Sequence, residues 1–546
     1  MNVDNHGHSP TGARRATTGL EPYAGPWTLR QAEHLLRRGT FGATRDDIAA
    51  FAALTPSAAV RKLFEPQTPP PDPYGYGLSD PSNPQSARRI YAWSEYAPAI
   101  DNYFRTGLRT WWLGLMLAGR TSLLEKMTFF WHNHFVSEFS TVLNTKYMHM
   151  QNMTFRTHAF GNFRTLVRAL TVDPAMLVYL NGNSNRKGSP NENYARELQE
   201  LFTIGKGKEI AAGNYTHYTE DDVREAARVL TGWRDNRTTY SSYFDSTRHD
   251  SGNKTFSAAY QNTVITGRTG NDGANELNEL IDMILRQPET ARAICRKLYR
   301  WFVYYEIDAT VEQTIIEPLA AQLRTGNYEI QPVLETLLSS AHFHADDTVG
   351  AIISSPVNFL TQTLVRTRFA LPEPGTSDAS KLTALNARSQ ITTTMAALQM
   401  DVFDAPSVAG WPAYHQSPQF HELWINTVTL PLRGAATDLL VDGKTKSSIV
   451  IDCIAFARES AADPSDPRIL IDDLARALFA IDITTKQREF LLENVLLGPG
   501  LPDYEWTVEW LDHVNDPTNA LKKEAVNGKL KTLLKFMLRM AEYHLS

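Results

Sequence analysis

The sequence predicts a mainly α protein: one large multi-helix body with a small irregular, partly β insertion around residues 238–267. Three observations predict it. Apolar residues recur at helical spacing along most of the 546 residues. Cap and stop residues flank those stretches. β-forming residues cluster in one segment, TTYSSYFDSTRHDSGNKTFSAAYQNTVITG, where Gly, Asn and Asp interrupt them.

In chain order, residues 1–25 are polar and rich in Gly, Pro and Thr, and are expected to form a flexible tail. Leu29, Ala32 and Leu36 mark a first helix that Gly39 and Gly42 stop. Thr44 opens a second helix, and Thr55-Pro56 a third, as N-cap followed by proline at the first helical position. Seven prolines between Pro66 and Pro84 make residues 65–86 a long loop. Phe104, Leu108, Trp111, Trp112 and Leu115 form the next stripe, and Ser122 with Glu125 reads as a capping box for the helix after it. Later stripes run through Leu277–Ile284, Ile294–Phe302, Ile316–Leu323 and Leu530–Met537. The expected organisation is a tail (1–25), a helical core (26–435) and a C-terminal helical region (436–546) packed on the core.

The charge is −6, and no basic block appears, so the footprint of a nucleic-acid binder is missing. No apolar run reaches the ~18 residues of a transmembrane helix. The polar start has no apolar leader, so the sequence as written is expected to stay in the cytoplasm, and to be exported only if a leader was removed. Two cysteines, Cys295 and Cys453, exclude a disulfide scaffold and a Cys-rich zinc site; one bond between them stays open.

Five polar clusters could carry chemistry. In Trp131-His132-Asn133-His134-Phe135, the two imidazoles lie about 200° apart on a helix, so they share a metal only if the helix has ended there. In Asn191–Phe202, a continued helix puts Asn193, Arg196, Glu197 and Glu200 on one face, a pattern for metal ligation or acid/base work; Glu192 lies beside it. Thr219 caps a helix whose first turn is acidic, with Asp221, Glu225 and Arg228 on one face. His249, Asp250 and Lys254 share a loop that could bind a metal or an anion. Trp411, Tyr414, His415, His421 and Trp424 crowd a Gly/Pro-broken segment and, with Trp233, suggest the wall of a pocket for an amphipathic ligand.

Several of these segments resemble a known family. Glu33-His34-Leu35-Leu36-Arg37-Arg38 with Thr40-Phe41-Gly42, the Trp-His-Asn-His-Phe run, Asn-Glu-Asn-Tyr-Ala-Arg-Glu-Leu, Tyr-Thr-Glu-Asp-Asp-Val-Arg-Glu with Leu-Thr-Gly-Trp, His-Asp-Ser-Gly-Asn-Lys-Thr-Phe and Val-Ala-Gly-Trp-Pro occur in the order of the bacterial DUF1800 family, over about residues 30–433. The Tyr-His-Gln-Ser-Pro-Gln-Phe-His-Glu-Leu-Trp-Ile-Asn form of the last motif resembles a subgroup. The resemblance implies a helical fold and a neighbouring phosphatase/sulfatase-like DUF1501 protein. It also implies that many relatives are exported, and it names no reaction.

The expected function is a metal-dependent hydrolase acting on a small-molecule, carbohydrate-like or other polar substrate. His132, His134, Glu197, Glu200, His249 and Asp250 would hold a divalent metal ion whose bound water is activated. Glu225 or Glu192 would act as base, and Lys254, Arg196 and Arg228 would steady negative charge. Two alternatives stand beside it: a non-haem metal oxidoreductase with the same ligand types, and a non-catalytic helical partner of a DUF1501-like protein, whose polar motifs are buried networks fixing helix packing.

Overall fold

The computed structural model describes residues 19–76, 87–89, 98–443 and 450–546. Among these the expected α architecture holds, and β structure is confined to two-stranded pairs. The tail expected over 1–25 lies outside the described residues as far as residue 18. From there the chain is docked: Tyr23 N donates to Ser339 O, Ala341 N donates to Glu21 O, and Pro22 bridges to Ser340. The proline-rich loop is described to Tyr76. Tyr74–Tyr76 pairs antiparallel with Ala87–Arg89, and residues 77–86 between them lie outside the described set.

The caps read from sequence act as expected at three helices. Thr44 accepts from Asp47 N ahead of Arg45–Ala52, Thr55 from Ala58 N ahead of Pro56–Lys62, and Thr219 from Asp222 N ahead of Glu220–Val229. The capping box at Ser122 and Glu125 does not form. Ser122 Oγ accepts from Leu124 N (3.2 Å) at the start of the Leu124–His134 helix, but Glu125 turns inward. There it accepts from Trp112 Nε1 (2.9 Å) and holds the Arg156 fork. The Ser122 N–H that the box would use donates to Gly119 O instead, and the buried Arg156 guanidinium takes the carboxylate because its burial is costly without a counter-charge.

The insertion is small and irregular. Trp233–Asn236 pairs with Ser241–Phe244, and Lys254–Thr255 with Val264–Ile265. One continuous apolar cluster runs through the whole body, from Ala32 to Tyr543, and takes in the C-terminal helices Cys453–Ser460, Pro467–Leu478 and Ala520–Met537. The last residues return to the core: Leu545 bridges to Ile353, and Ser354 N donates to His544 O. Cys295 and Cys453 are both buried and unbonded to each other. No described helix is long and apolar enough to cross a membrane.

Candidate functional site

The Leu124–His134 helix continues through both histidines, so their side chains diverge. His132 packs against Trp112 and Phe403, and its Nε2 accepts from Phe403 N (3.3 Å). Burial pushes its pKa down to about 3, so it is neutral. Asn133 Oδ1 accepts from Trp411 N (3.0 Å). His134 Nε2 donates to Phe202 O (2.9 Å), which leaves Nδ1 to accept from Lys297 Nζ (3.0 Å). Burial and the Lys297 charge push His134 well below its usual value. Three consecutive side chains thus fasten three distant backbone segments, at 403, 411 and 202.

The Asn193–Glu200 stretch is not one regular helix. The helix Asn193–Glu197 passes into a π-helical turn, Leu198–Phe202. The wider turn changes the angular step from Glu197 to Glu200, yet the two carboxyls stay within reach of each other's charge. Arg196 forks onto Glu220 (2.6 and 2.7 Å) and reaches Glu192 (3.2 Å), whereas Glu200 accepts from Tyr218 (3.0 Å). Glu197 is raised by burial and by the Glu200 charge.

Glu225 and Asp250 both grip Arg228 (2.8 Å each), and Glu225 also accepts from Thr255 N. Asp221, on the same regular helix, pairs with Arg224. His249 contacts Thr231 O and Glu276 Oε1 (3.0 and 3.1 Å), and Lys254 donates to Glu276 Oε2 (2.5 Å). Glu276, at the head of the Glu276–Leu285 helix, is fully buried and had no signal in the sequence beyond being an acid in a first turn.

The expected metal set is therefore split among three separate networks. Among the described residues no three His, Cys, Asp or Glu side chains are gathered as a metal ion requires.

The aromatic segment fares differently. Trp233 packs edge-on against Phe244, Trp411 is buried against Phe129, and His415 is exposed. Tyr414, His421 and Trp424, however, line a cavity of about 40 Å³ together with Arg38, Lys126, Trp301 and Ser355. That is room for about three water-sized groups. Arg300, Tyr305 and Phe420, all half-buried, form its outer edge.

Its chemistry is dominated by donors. Arg38 donates to Phe302 O (2.8 Å), Val303 O (2.9 Å) and Ser546 O (3.3 Å); Lys126 donates to Asn358 Oδ1 (2.7 Å) and Thr40 O (3.3 Å). These partners leave at least one N–H unused on each cation. Among the described residues, no Asp or Glu side chain pairs with Arg38, Lys126 or Arg300. Burial pushes Arg38 down to about 9, and burial with the Arg38 charge pushes Lys126 well below its usual value. His421 Nδ1 accepts from Ile353 N (3.2 Å), so Nε2 carries the hydrogen, and that buried N–H has no protein partner. The Trp301 indole N–H and the Ser354 hydroxyl are likewise buried and unpartnered. Ser355 caps the helix Pro356–Arg366, whose positive N-terminal end adds to the field at this wall. Such a donor set suits an oxyanion.

Sequence reasoning found Tyr414, His421 and Trp424 but missed Lys126 and Trp301. It met Arg38 as part of a family motif, without a role.

A family described as "Protein of unknown function (DUF1800)" matches residues 34–545, which extends the resemblance through the C-terminal helices. No curated protein and no solved structure matches the chain.

Proposed function

The chain belongs to the DUF1800 family, and we propose that it recognises a small molecule through an anionic end group, phosphoryl, sulfuryl or carboxyl, held in the buried basic cavity. The observation that carries this reading is the donor set: Lys126, whose oxygen partners are all uncharged, and Arg38, which pairs with no Asp or Glu side chain and meets carbonyl oxygens, Ser546 O at the end of the sequence among them, beside the partnerless N–H groups of His421 and Trp301. Burying a cation without a counter-charge costs several kcal/mol, and an unsatisfied buried donor about 1–3 kcal/mol more. A bound oxyanion offsets both. The body of the ligand would lie along Tyr305 and Phe420, at the outer edge.

A carbohydrate substrate enters this reading as a phosphorylated, sulfated or uronic sugar. A phosphatase/sulfatase-like DUF1501 partner would handle the same class of oxyanion. The metal-dependent hydrolase and its redox variant rank below this reading, because their ligands would have to leave Phe403, Phe202, Tyr218 and Glu276.

The test is a melting comparison in phosphate, sulfate and acetate against chloride at one ionic strength. At ten times Kd an oxyanion stabilises the protein by about 1.4 kcal/mol. Identical melting in all four salts would refute the proposal.

A further inference from the structure

A second, larger cavity of about 380 Å³ lies between the helices Leu29–Gly39 and Arg45–Ala52 on one side and the end of Pro467–Leu478 with the chain to Ile483 on the other. Its volume falls in the range of small-molecule pockets. Leu29, Ile48, Phe456, Phe479 and Ile483 give it an apolar wall.

Arg366, the last residue of the Pro356–Arg366 helix, forms part of the lining. Its side chain is buried, and Nη1 donates to Leu478 O (2.9 Å) and Ala477 O (3.2 Å). Nη2 lies 3.4 Å from Glu33, but Glu33 already takes Nε and Nη2 of Arg37 (2.8 and 2.5 Å). One carboxylate therefore serves two buried guanidinium groups, which leaves one positive charge unmatched. Arg366 Nε is buried with no partner. Burial, then the Arg37 charge, depresses Arg366 to about 9. Most of the rim charges pair with one another, Arg488 with Asp472, Arg476 with Asp473 and Arg368 with Glu459, while the exposed Arg45 donates to Ser460 O.

We infer that this cavity is a binding site for an amphipathic carboxylate, its head on the Arg366 guanidinium and its apolar body against Ile48, Phe456 and Ile483. An apolar wall with a buried, unmatched cation selects an apolar acid over a sugar or a cation. The site is separate from the basic cavity, although the Leu29–Gly39 and Pro356–Arg366 helices supply residues to both.

The test is calorimetric titration of octanoate and octanol into the full chain and three variants, all in phosphate at a concentration that keeps the basic cavity filled. Ile48→Trp fills the wall at a half-buried position and leaves the charged network intact, so it stays informative should Arg366→Met fail to fold. The expected result is saturable 1:1 octanoate binding. Arg366→Met weakens it at least tenfold, Ile48→Trp removes it and Lys126→Met leaves it unchanged, while octanol binds at least tenfold more weakly. The inference is overturned by the absence of saturable octanoate binding, or by octanol binding as tightly as octanoate. Octanoate affinity unchanged in Ile48→Trp, or lost in Lys126→Met, overturns it equally.

Discussion

Replacing Glu276 by glutamine probes the network that anchors the insertion. Glu276 and Lys254 are both fully buried, and Glu276 also accepts from Arg268 N (2.7 Å) while contacting His249. Burial pushes the Glu276 carboxyl up, but its bonds to His249, Lys254 and Arg268 N outweigh this and hold it below the usual carboxylate range. Glutamine keeps an acceptor oxygen but removes the charge that compensates Lys254. Breaking one partner of a buried pair costs about 3–5 kcal/mol, and the retained acceptor places this variant near 3 kcal/mol. At ~1.4 kcal/mol per decade, local opening becomes roughly a hundredfold more frequent. Hydrogen exchange should therefore accelerate by about that factor in peptides covering 249–285, while peptides from Ala520–Met537 stay unchanged. The double variant Lys254→Met with Glu276→Leu should recover most of the loss, because no buried charge is then left alone. Because the folded carboxyl has a depressed pKa, its contribution is present above the unfolded value near 4.3. It fades as pH falls below that value and through the folded one, so wild-type exchange in 249–285 should quicken selectively at acid pH. Exchange within twofold of wild type in Glu276→Gln would refute the reasoning.

Four further outcomes follow from the same contacts. Gly410→Ala should destabilise the protein by at least ~2 kcal/mol in chemical denaturation: Gly410 has φ +89°, and an added Cβ would sit 2.4 Å from Asn133 Oδ1 and 2.6 Å from its carbonyl oxygen; an unchanged midpoint would contradict this. Burial raises both thiols, Cys453 to about 12, so an aromatic disulfide reagent should label Cys295 and Cys453 only after denaturant is added, and labelling of native protein within minutes would count against the burial described. Elemental analysis of wild type, His132→Ala and Glu197→Ala should show no stoichiometric metal lost in both variants, whereas His132→Ala should melt lower because it vacates a buried, hydrogen-bonded position; a near-stoichiometric metal missing from both variants would restore the metalloenzyme reading. Lys126→Met should hold or raise the melting temperature of the ligand-free protein, because it deletes a buried cation without a counter-charge; a large fall would show that Lys126 serves stability alone.

The fold was legible because helix periodicity and caps are local signals. Thr44, Thr55 and Thr219 each sit within three residues of the N–H they satisfy. Ser122 and Glu125 carried the same pattern, but Arg156, 31 residues away from Glu125, decided where that carboxylate points. The candidate site was legible only in part, for the same physical reason. Tyr414, His421 and Trp424 announced themselves as a dense aromatic segment, whereas Arg38, Lys126, Trp301 and Ser355 come from four distant stretches. Lysine and arginine are usually solvated, so nothing local marked Lys126 as buried among the 54 Lys and Arg residues. The histidine- and acid-rich motifs read as metal ligands because ligand types and buried hydrogen-bonding types are the same residues. Geometry separates them: His132, Asn133 and His134 each fasten a different backbone segment.

The central claim is that the basic cavity binds an oxyanion, and calorimetric titration of phosphate into wild type and Lys126→Met at neutral and raised pH tests it most directly. The account predicts saturable binding at one site, at least tenfold weaker in Lys126→Met. It also predicts that wild-type affinity falls as pH rises through the depressed value of Lys126, where the free ammonium loses the proton that attracts the anion. Equal affinity in the two proteins, or no saturable binding to wild type at either pH, would contradict it.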